Sequence, residues 1–338
     1  MKKANWSKRA TLLLAAVCVV LSVVNGAFNK PAQAWLLQVD GVPVYRELYA
    51  YYLSEALRNP AYKNADKDAR KRKALRADVA KRCTAFIAVN SELHNMWLVL
   101  EQQYKADVAE RTGFLWRVFG GYYASIGVGK QTITMVQTHQ ANRKQLFYAL
   151  YDAGGSRAVP EQAVTDQFYR SHAAYEGLRV FLTAPDEESD EGAQRPMTAA
   201  EAKALKARLG EIAEEINAGG DFFSVCERYA EELSYTMPSF AELDRGDPDF
   251  TDAEFEKVRM LDPEKLSVLE FPTFFLLARG VNMGESPEEY YFPQRAACLW
   301  ELKKDEYALL LEDLAATYQA DENEAAVEKL LAGWKWSD

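Results

Sequence analysis

Histidine is scarce in this 338-residue chain: His94, His139 and His172 are all there are. So few leave little material for an imidazole metal centre or for Ser/His/Asp catalysis. His172 and Glu176 share an i, i+4 spacing, but one such pair does not make a metal site. No G-x-S-x-G nucleophile elbow occurs. Gly127-Val-Gly129-Lys130 lacks the G-x-x-x-x-G-K-[ST] pattern of a phosphate loop. Cysteine is scarce too, with four. Cys18 lies in the N-terminal apolar run, and Cys83, Cys226 and Cys298 are far apart with no C-x-x-C. The three beyond that run cannot all pair with one another, so a disulfide framework is not expected, while one pair stays open. Each of the three sits among apolar residues and reads as a small buried hydrophobe. No metal and no cofactor are expected. Beyond residue 24 no apolar run is long enough to cross a bilayer.

What is present begins with export. Lys2, Lys3, Lys8 and Arg9 precede an apolar run from Ala10 to Val24, and Ala32-Gln33-Ala34 supplies an A-x-A cleavage pattern. As a helix the run would be about 22 Å long, short for a hydrocarbon core of about 30 Å. Residues 1–34 therefore read as a signal peptide cut after Ala34. An uncleaved membrane tether is the alternative. Cys18 sits within the run and is an ordinary apolar-region residue. Five of the 40 basic residues and none of the 50 acidic ones lie in 1–34, so the remainder carries 35 against 50, a net of −15. That balance repels phosphates and excludes nucleic acid as a partner.

Trp35 to Val44 reads as a short strand with a turn at Asp40-Gly41. Tyr45, Leu48, Tyr49, Tyr52, Leu53 and Leu57 then recur at helical spacing, up to Asn59-Pro60. Leu75, Val79, Cys83, Phe86 and Ile87 form another helical face. Lys71, Arg72, Lys73, Arg76, Lys81 and Arg82 occupy its other side, either as a solvated face or as a contact for anionic lipid or an acidic client. Leu93, Trp97, Leu100, Tyr104 and Val108 continue the helix, and Gly120-Gly121 and Gly127 to Gly129 should break it. Another helix spans about 130–151, closed by Asp152-Ala-Gly-Gly155, and Pro160 opens the next. Residues 45–174 thus look nearly all helical.

The pattern changes at Leu178 to Thr183, which is strand-like. Ala184 to Met197 is an acidic loop with two prolines. Ala202, Leu205, Leu209, Ile212 and Ile216 make an amphipathic helix that stops at Gly219-Gly220. Asp221 can cap a second helix with Phe222, Cys226 and Tyr229. Phe250 and Phe255 fall in a short helical segment, Leu261 to Ser267 in a turn, and Phe271 to Arg279 in a strand. Residues 295–302 read as extended. Tyr307, Leu310, Leu311, Leu314 and Tyr318 form a last helical face.

The order of these pieces is informative. Val39-Asp-Gly-Val-Pro-Val-Tyr-Arg-Glu-Leu48 resembles the mature start of extracytoplasmic foldases of the SurA/PrsA type. Ile216-Asn-Ala-Gly-Gly-Asp-Phe222 with Tyr229-Ala-Glu-Glu-Leu-Ser234 resembles the paired helices of a parvulin-type peptidyl-prolyl isomerase domain. Phe250 and Phe255 stand where that family has two phenylalanines, and Leu261 to Leu277 resembles its last turn and strand. The resemblance covers most of the mature chain. It implies a mostly α fold with an α+β insert: a helical chaperone-like domain, 35–174, completed by 284–338, around a parvulin-like domain, 175–283. It also implies an extracytoplasmic location and, as partners, unfolded or proline-containing exported polypeptides.

In that family isomerisation uses an apolar cradle and two histidines on adjacent strands. The uncatalysed barrier is about 20 kcal/mol, and a catalyst lowers it by favouring the twisted amide. Here Val180, in Arg179-Val-Phe-Leu182, stands in one histidine position. Phe275, in Thr273-Phe-Phe-Leu276, stands in the other. The three histidines all lie outside 175–283. Phe250, Phe255, Phe275 and Val180 are the expected peptide-contact residues, and no catalytic residue is assigned. Tyr45, Tyr49, Tyr51, Tyr52, Trp97, Trp116, Phe119, Tyr122 and Tyr123 are aromatics that would fill a core or line a groove. The expected function is a foldase that holds exported polypeptides. An isomerase with an altered pocket around Phe250 and Phe255, and an envelope assembly protein with one dedicated partner, are the alternatives.

Overall fold

The computed structural model describes residues 34–186, 194–233 and 239–336. The expected signal peptide lies outside these except for Ala34, as do half of the acidic loop and the last residue of the Tyr229–Ser234 motif. Asp40 (φ +44°) and Gly41 (φ +82°) turn the chain between β1 (Leu37–Val39) and β2 (Val42–Val44). Two successive left-handed residues give the turn whose twist matches a two-residue hairpin, here with Leu37 opposite Val44. Helices α1 (Arg46–Ala56) and α2 (Ala69–Asn95) follow. Asp68 caps α2, its carboxylate accepting from the amides of Arg70 (2.9 Å) and Lys71 (3.1 Å). Leu75, Val79, Cys83, Phe86 and Ile87 are buried, as their spacing predicts, in one core with Leu37, Val39, Tyr49 and Leu53.

The helix does not run on through Trp97. It ends at Asn95, with Trp97 at φ +57° and the Leu98 amide donating to the Leu93 carbonyl at 2.9 Å. The next helix, α3, spans Gln102–Ser125 and contains Gly120-Gly121, contrary to expectation. A Cβ at Gly120 would lie 3.3 Å from the Trp116 ring, so the buried glycine leaves room for that side chain. The break comes at Gly127 (φ +77°), where the Val128 amide closes on the Tyr123 carbonyl at 2.9 Å. α4 (Lys130–Tyr151) starts over Glu47, whose carboxylate accepts from the Gly129 amide (3.2 Å) and the Thr132 hydroxyl (2.6 Å).

Contacts divide the chain into one unit up to Ala158 with Lys303 onward, and a second unit, Val159–Leu302. The boundaries read from sequence, 174/175 and 283/284, both fall inside the second unit. In that unit α5 (Glu161–Ser171) passes without a linker into β3 (His172–Phe181). Residues 172–174 are therefore strand, not helix. β3 is an inner strand whose residues 172–174 pair with β6, and that ladder outweighs local helical preference.

β4 (Thr183–Pro185) and β5 (Gln194–Pro196) form a small pair. A Thr198–Glu201 capping box starts α6 (Ala199–Asn217). Asp221 accepts from the Ser224 amide at 2.9 Å at the start of α7 (Phe222–Leu233). Then come β6 (Ser239–Asp244), α8 (Asp252–Arg259), β7 (Ser267–Glu270) and β8 (Phe274–Gly280). The antiparallel sheet has the order β6-β3-β8-β7. Strand alternation sends Leu178, Val180, Phe275 and Leu277 into a core with α6 and α7, and Tyr175, Phe274, Leu276 and Ala278 into a second core with α8. Gly177 opposes Ala278 so closely that a Cβ there would lie 2.5 Å from the alanine methyl.

Residues 295–302 are not extended. They belong to α9 (Tyr291–Ala316), because Tyr291, Cys298 and Leu299 are buried at helical spacing while Phe292 and Trp300 are exposed. From Lys303 the chain returns to the first unit. There β9 (Ala320–Glu322) pairs with the free edge of β1, and α10 (Glu324–Ala332) adds Val327, Leu330 and Leu331 to its core. No helix among the described residues is long and apolar enough to cross a membrane.

Candidate polypeptide-binding surfaces

The four residues expected to contact peptide form two pairs. Val180 and Phe275 are directly opposite across β3 and β8, buried against Leu209, Ile212 and Phe222. Phe250 and Phe255 lie on the other face of the sheet, also buried. Phe250 meets Phe271 edge-on at 5.6 Å, and Phe271 stacks on Phe274 at 4.7 Å. Sequence spacing could not separate the pairs, because which side of a strand faces which helix is settled by chain topology.

Two residues next to the histidine positions escaped the sequence reading. The Arg179 guanidinium sits 5.0 Å from the Phe250 ring centre and 5.3 Å from that of Phe274. It donates to the Tyr175 hydroxyl (3.2 Å) and pairs with Asp249 (3.3 Å). Phe181 is exposed and meets Phe274 at 6.2 Å. The alternation of β3 puts both on the Phe250 face.

His172 opens β3 and so belongs to this unit, contrary to expectation. Its ring stacks on Phe168 at 4.7 Å, and its Nε2 lies 3.3 Å from Asp244. Ser171 Oγ is 2.9 Å from His172 Nδ1 but also donates to the Gln167 carbonyl at 2.7 Å, closing the helix end. Glu176 does not join His172 on a helix. It pairs with Arg279 across the strands. No group of three metal-ligating side chains occurs among the described residues.

In the first unit the aromatics divide. Tyr49, Tyr52 and Tyr123 are buried, and burial pushes the Tyr49 and Tyr52 hydroxyls well above their ordinary range. The outer face of α3 is different. Phe114, Val118 and Tyr122 recur every four residues and are 56%, 53% and 47% exposed, with Phe119 beside them. Val108, Thr112 and Tyr123, on the inner face, are buried. Trp97, just before the helix, is 84% exposed. A row at i, i+4, i+8 lies along one side of a helix, so these side chains form a continuous apolar strip flanked by exposed Arg111 and Arg117.

The basic side of α2 is engaged within the chain. Arg76 donates to Glu322 (2.8 Å) and Glu328 (2.9 Å), Arg72 pairs with Glu328, Lys81 with Glu312, and Arg82 with Asp78. A cleft of about 490 Å³ lies between Arg72, Lys73 and Arg76 on one wall and Glu322, Glu324 and Glu328 on the other. Arg72 and Arg76 thus hold the C-terminal segment, while Lys73 and Lys81 on the same side are exposed. None of the three thiols is in a disulfide and all are buried, and burial raises Cys226 to about 11. They are inert at neutral pH.

Charge differs sharply between the units. Val159–Leu302 has 13 basic and 30 acidic residues, a net of −17. The rest has 27 and 20, a net of +7.

No family model matches the sequence, and none of the curated proteins matches it. Among solved structures, the foldase protein PrsA from Streptococcus pneumoniae is similar, with 11% identity over 85% of this chain and 90% of that one and a TM-score of 0.34. Identity this low fixes no residue's role.

Proposed function

We propose that this chain is an exported folding factor that holds non-native polypeptide on the outer face of α3. The observation that carries the reading is the exposed row Phe114, Val118 and Tyr122. Apolar burial is non-directional and scales with area, at about 25 cal/mol per Å². A strip of this kind takes unfolded apolar segments of many sequences and releases them as they bury their own side chains. The flanking arginines keep the strip wetted when empty. Clients are unfolded or proline-containing exported polypeptides. The basic, apolar and A-x-A pattern of residues 2–34 supports an extracytoplasmic location, with the same segment as a tether where it is retained.

The test is aggregation of a chemically unfolded model protein on dilution, followed by light scattering. The protein should suppress it, and the triple variant Phe114→Ser, Val118→Ser, Tyr122→Ser should not. Equal suppression by the variant would sink the α3 assignment, and no suppression by the native chain would sink the function.

Prolyl isomerisation is a second reading. It is favoured by Arg179, a hydrogen-bond donor lying on Phe250 and Phe274 beside exposed Phe181. Acceleration on a proline-containing peptide that vanishes in Arg179→Ala would establish it, and no acceleration by the native chain would dismiss it.

A further inference from the structure

β6 is an outer strand of the second unit's sheet, paired on one side with β3 over six residues. The Arg245 amide donates to the Ser171 carbonyl at 2.7 Å, one step beyond the His172–Asp244 pair. Hydrogen-bonded and non-hydrogen-bonded pairs alternate along an antiparallel ladder. Leu243, Ala241 and Ser239 are therefore bonded to β3. Phe240 and Glu242 direct both amide and carbonyl outward, and Asp244 directs its amide outward. The Asp244 carbonyl accepts from Asp247 in the turn that follows.

Edge strands are commonly guarded by lysine, proline or a bulge. β6, with the sequence Ser-Phe-Ala-Glu-Leu-Asp, has neither lysine nor proline. Its outward row is Phe240, Glu242 and Asp244, all exposed, and Phe240 lies 6.0 Å from the Tyr290 ring. A second copy is a poor occupant. Pairing β6 with itself about Glu242 sets Glu242 against Glu242, and like charges directly opposite are destabilising. A basic strand has the complementary charge, on the Glu242–Asp244 row and against a unit of net −17.

We propose that β6 is a docking edge that takes an extended partner segment of alternating basic and apolar residues as an added antiparallel strand. Outward amides and carbonyls at Phe240 and Glu242 hold its backbone. Glu242 and Asp244 select basic side chains, and Phe240 with Tyr290 covers an apolar one. This surface lies in the other unit from α3 and does not rest on the α3 reading.

The experiment is fluorescence anisotropy of a labelled ten-residue Lys-Val repeat titrated with the full chain. The peptide should bind. A Glu-Val repeat should not, and the Lys-Val peptide N-methylated at every second residue should bind at least about tenfold more weakly, the size of one lost hydrogen bond. Glu242→Pro removes an outward amide without touching the β3 ladder and should weaken binding by a similar factor. Glu242→Lys keeps the backbone and should weaken it by charge, covering the case in which the proline variant does not fold. Failure of the Lys-Val peptide to bind, undiminished binding of the N-methylated peptide, or undiminished binding by Glu242→Lys would each overturn the proposal.

Discussion

The sheet of the second unit and helix α3 of the first are both rich in large apolar side chains, yet they treat them oppositely. The sheet covers both faces: Val180 and Phe275 go under α6 and α7, and Phe274 packs in one core with Phe250 and with Phe255 of α8. α3 covers only its inner face and leaves Phe114, Val118 and Tyr122 in water. An aromatic residue therefore signals a binding surface only where no neighbouring element returns to cover it. The positions named by family resemblance are covered, and the open row lies elsewhere.

Truncating the covered set should have the largest effect on stability. Phe255→Ala should cost about 3–5 kcal/mol, the range for a buried phenylalanine, seen as a lower denaturant midpoint. Client holding per folded molecule should be unchanged, and a loss of holding by the folded fraction would erase the contrast with α3.

Arg76→Ala comes next. It strands Glu322 and Glu328 in a partly exposed setting, so about 2 kcal/mol is expected, below the cost for a fully buried pair. A thermal melt unchanged from the native chain would show that β9 and α10 are held by Val327 and Leu330 alone.

Acid should act through His139. Its ring is buried with Nδ1 unpartnered, and burial, with Arg143 adding to it, lowers its pKa to about 3. Above about 6.5 the histidine is neutral in both folded and unfolded chains and has no effect. As pH falls below that, only the unfolded chain takes up the proton, so stability is lost progressively down to about 3. The loss should reach about 2 kcal/mol at pH 5. His139→Leu should flatten that part of the pH profile, and an unchanged slope would contradict the assignment.

The smallest effect on stability is expected for Phe114→Ser, Val118→Ser and Tyr122→Ser, each within about 0.5 kcal/mol as for exposed positions. The same changes should have the largest effect on holding clients. A large loss of stability instead would mean that the row is covered in solution.

The local readings succeeded where chemistry a few residues apart decides the outcome. Asp40-Gly41 turns as its left-handed preference dictates, Asp221 caps its helix, and the Leu75–Ile87 stripe is buried. They failed where a distant partner decides. Ala173 and Ala174 are good helix residues, but β6, some seventy residues on, pairs with them. Gly120 stays helical with its side of α3 buried, so packing rather than propensity decides there. The extended reading of 295–302 missed a face, Tyr291, Cys298 and Leu299, that is apolar only at helical period.

The candidate sites were legible to the same degree. Tyr122 and Phe119 were singled out among the aromatics, but the sequence could not say that they are open while Tyr49 and Tyr52 are closed. Arg179 and Phe181 were in view beside the histidine positions without a signal to select them. The docking edge on β6 could not be read at all, since which strand lies outermost depends on pairing across tens of residues.

By itself the sequence determined the turns, the caps, the periods of helix and strand and the acidic balance, because these depend on neighbours within one or two turns of chain. Only the tertiary structure decided which faces are covered, which arginines are already paired with the C-terminal glutamates, and which strand is left with free amides. Those outcomes arise from non-local contacts, in which residues far apart in the chain compete for the same surface.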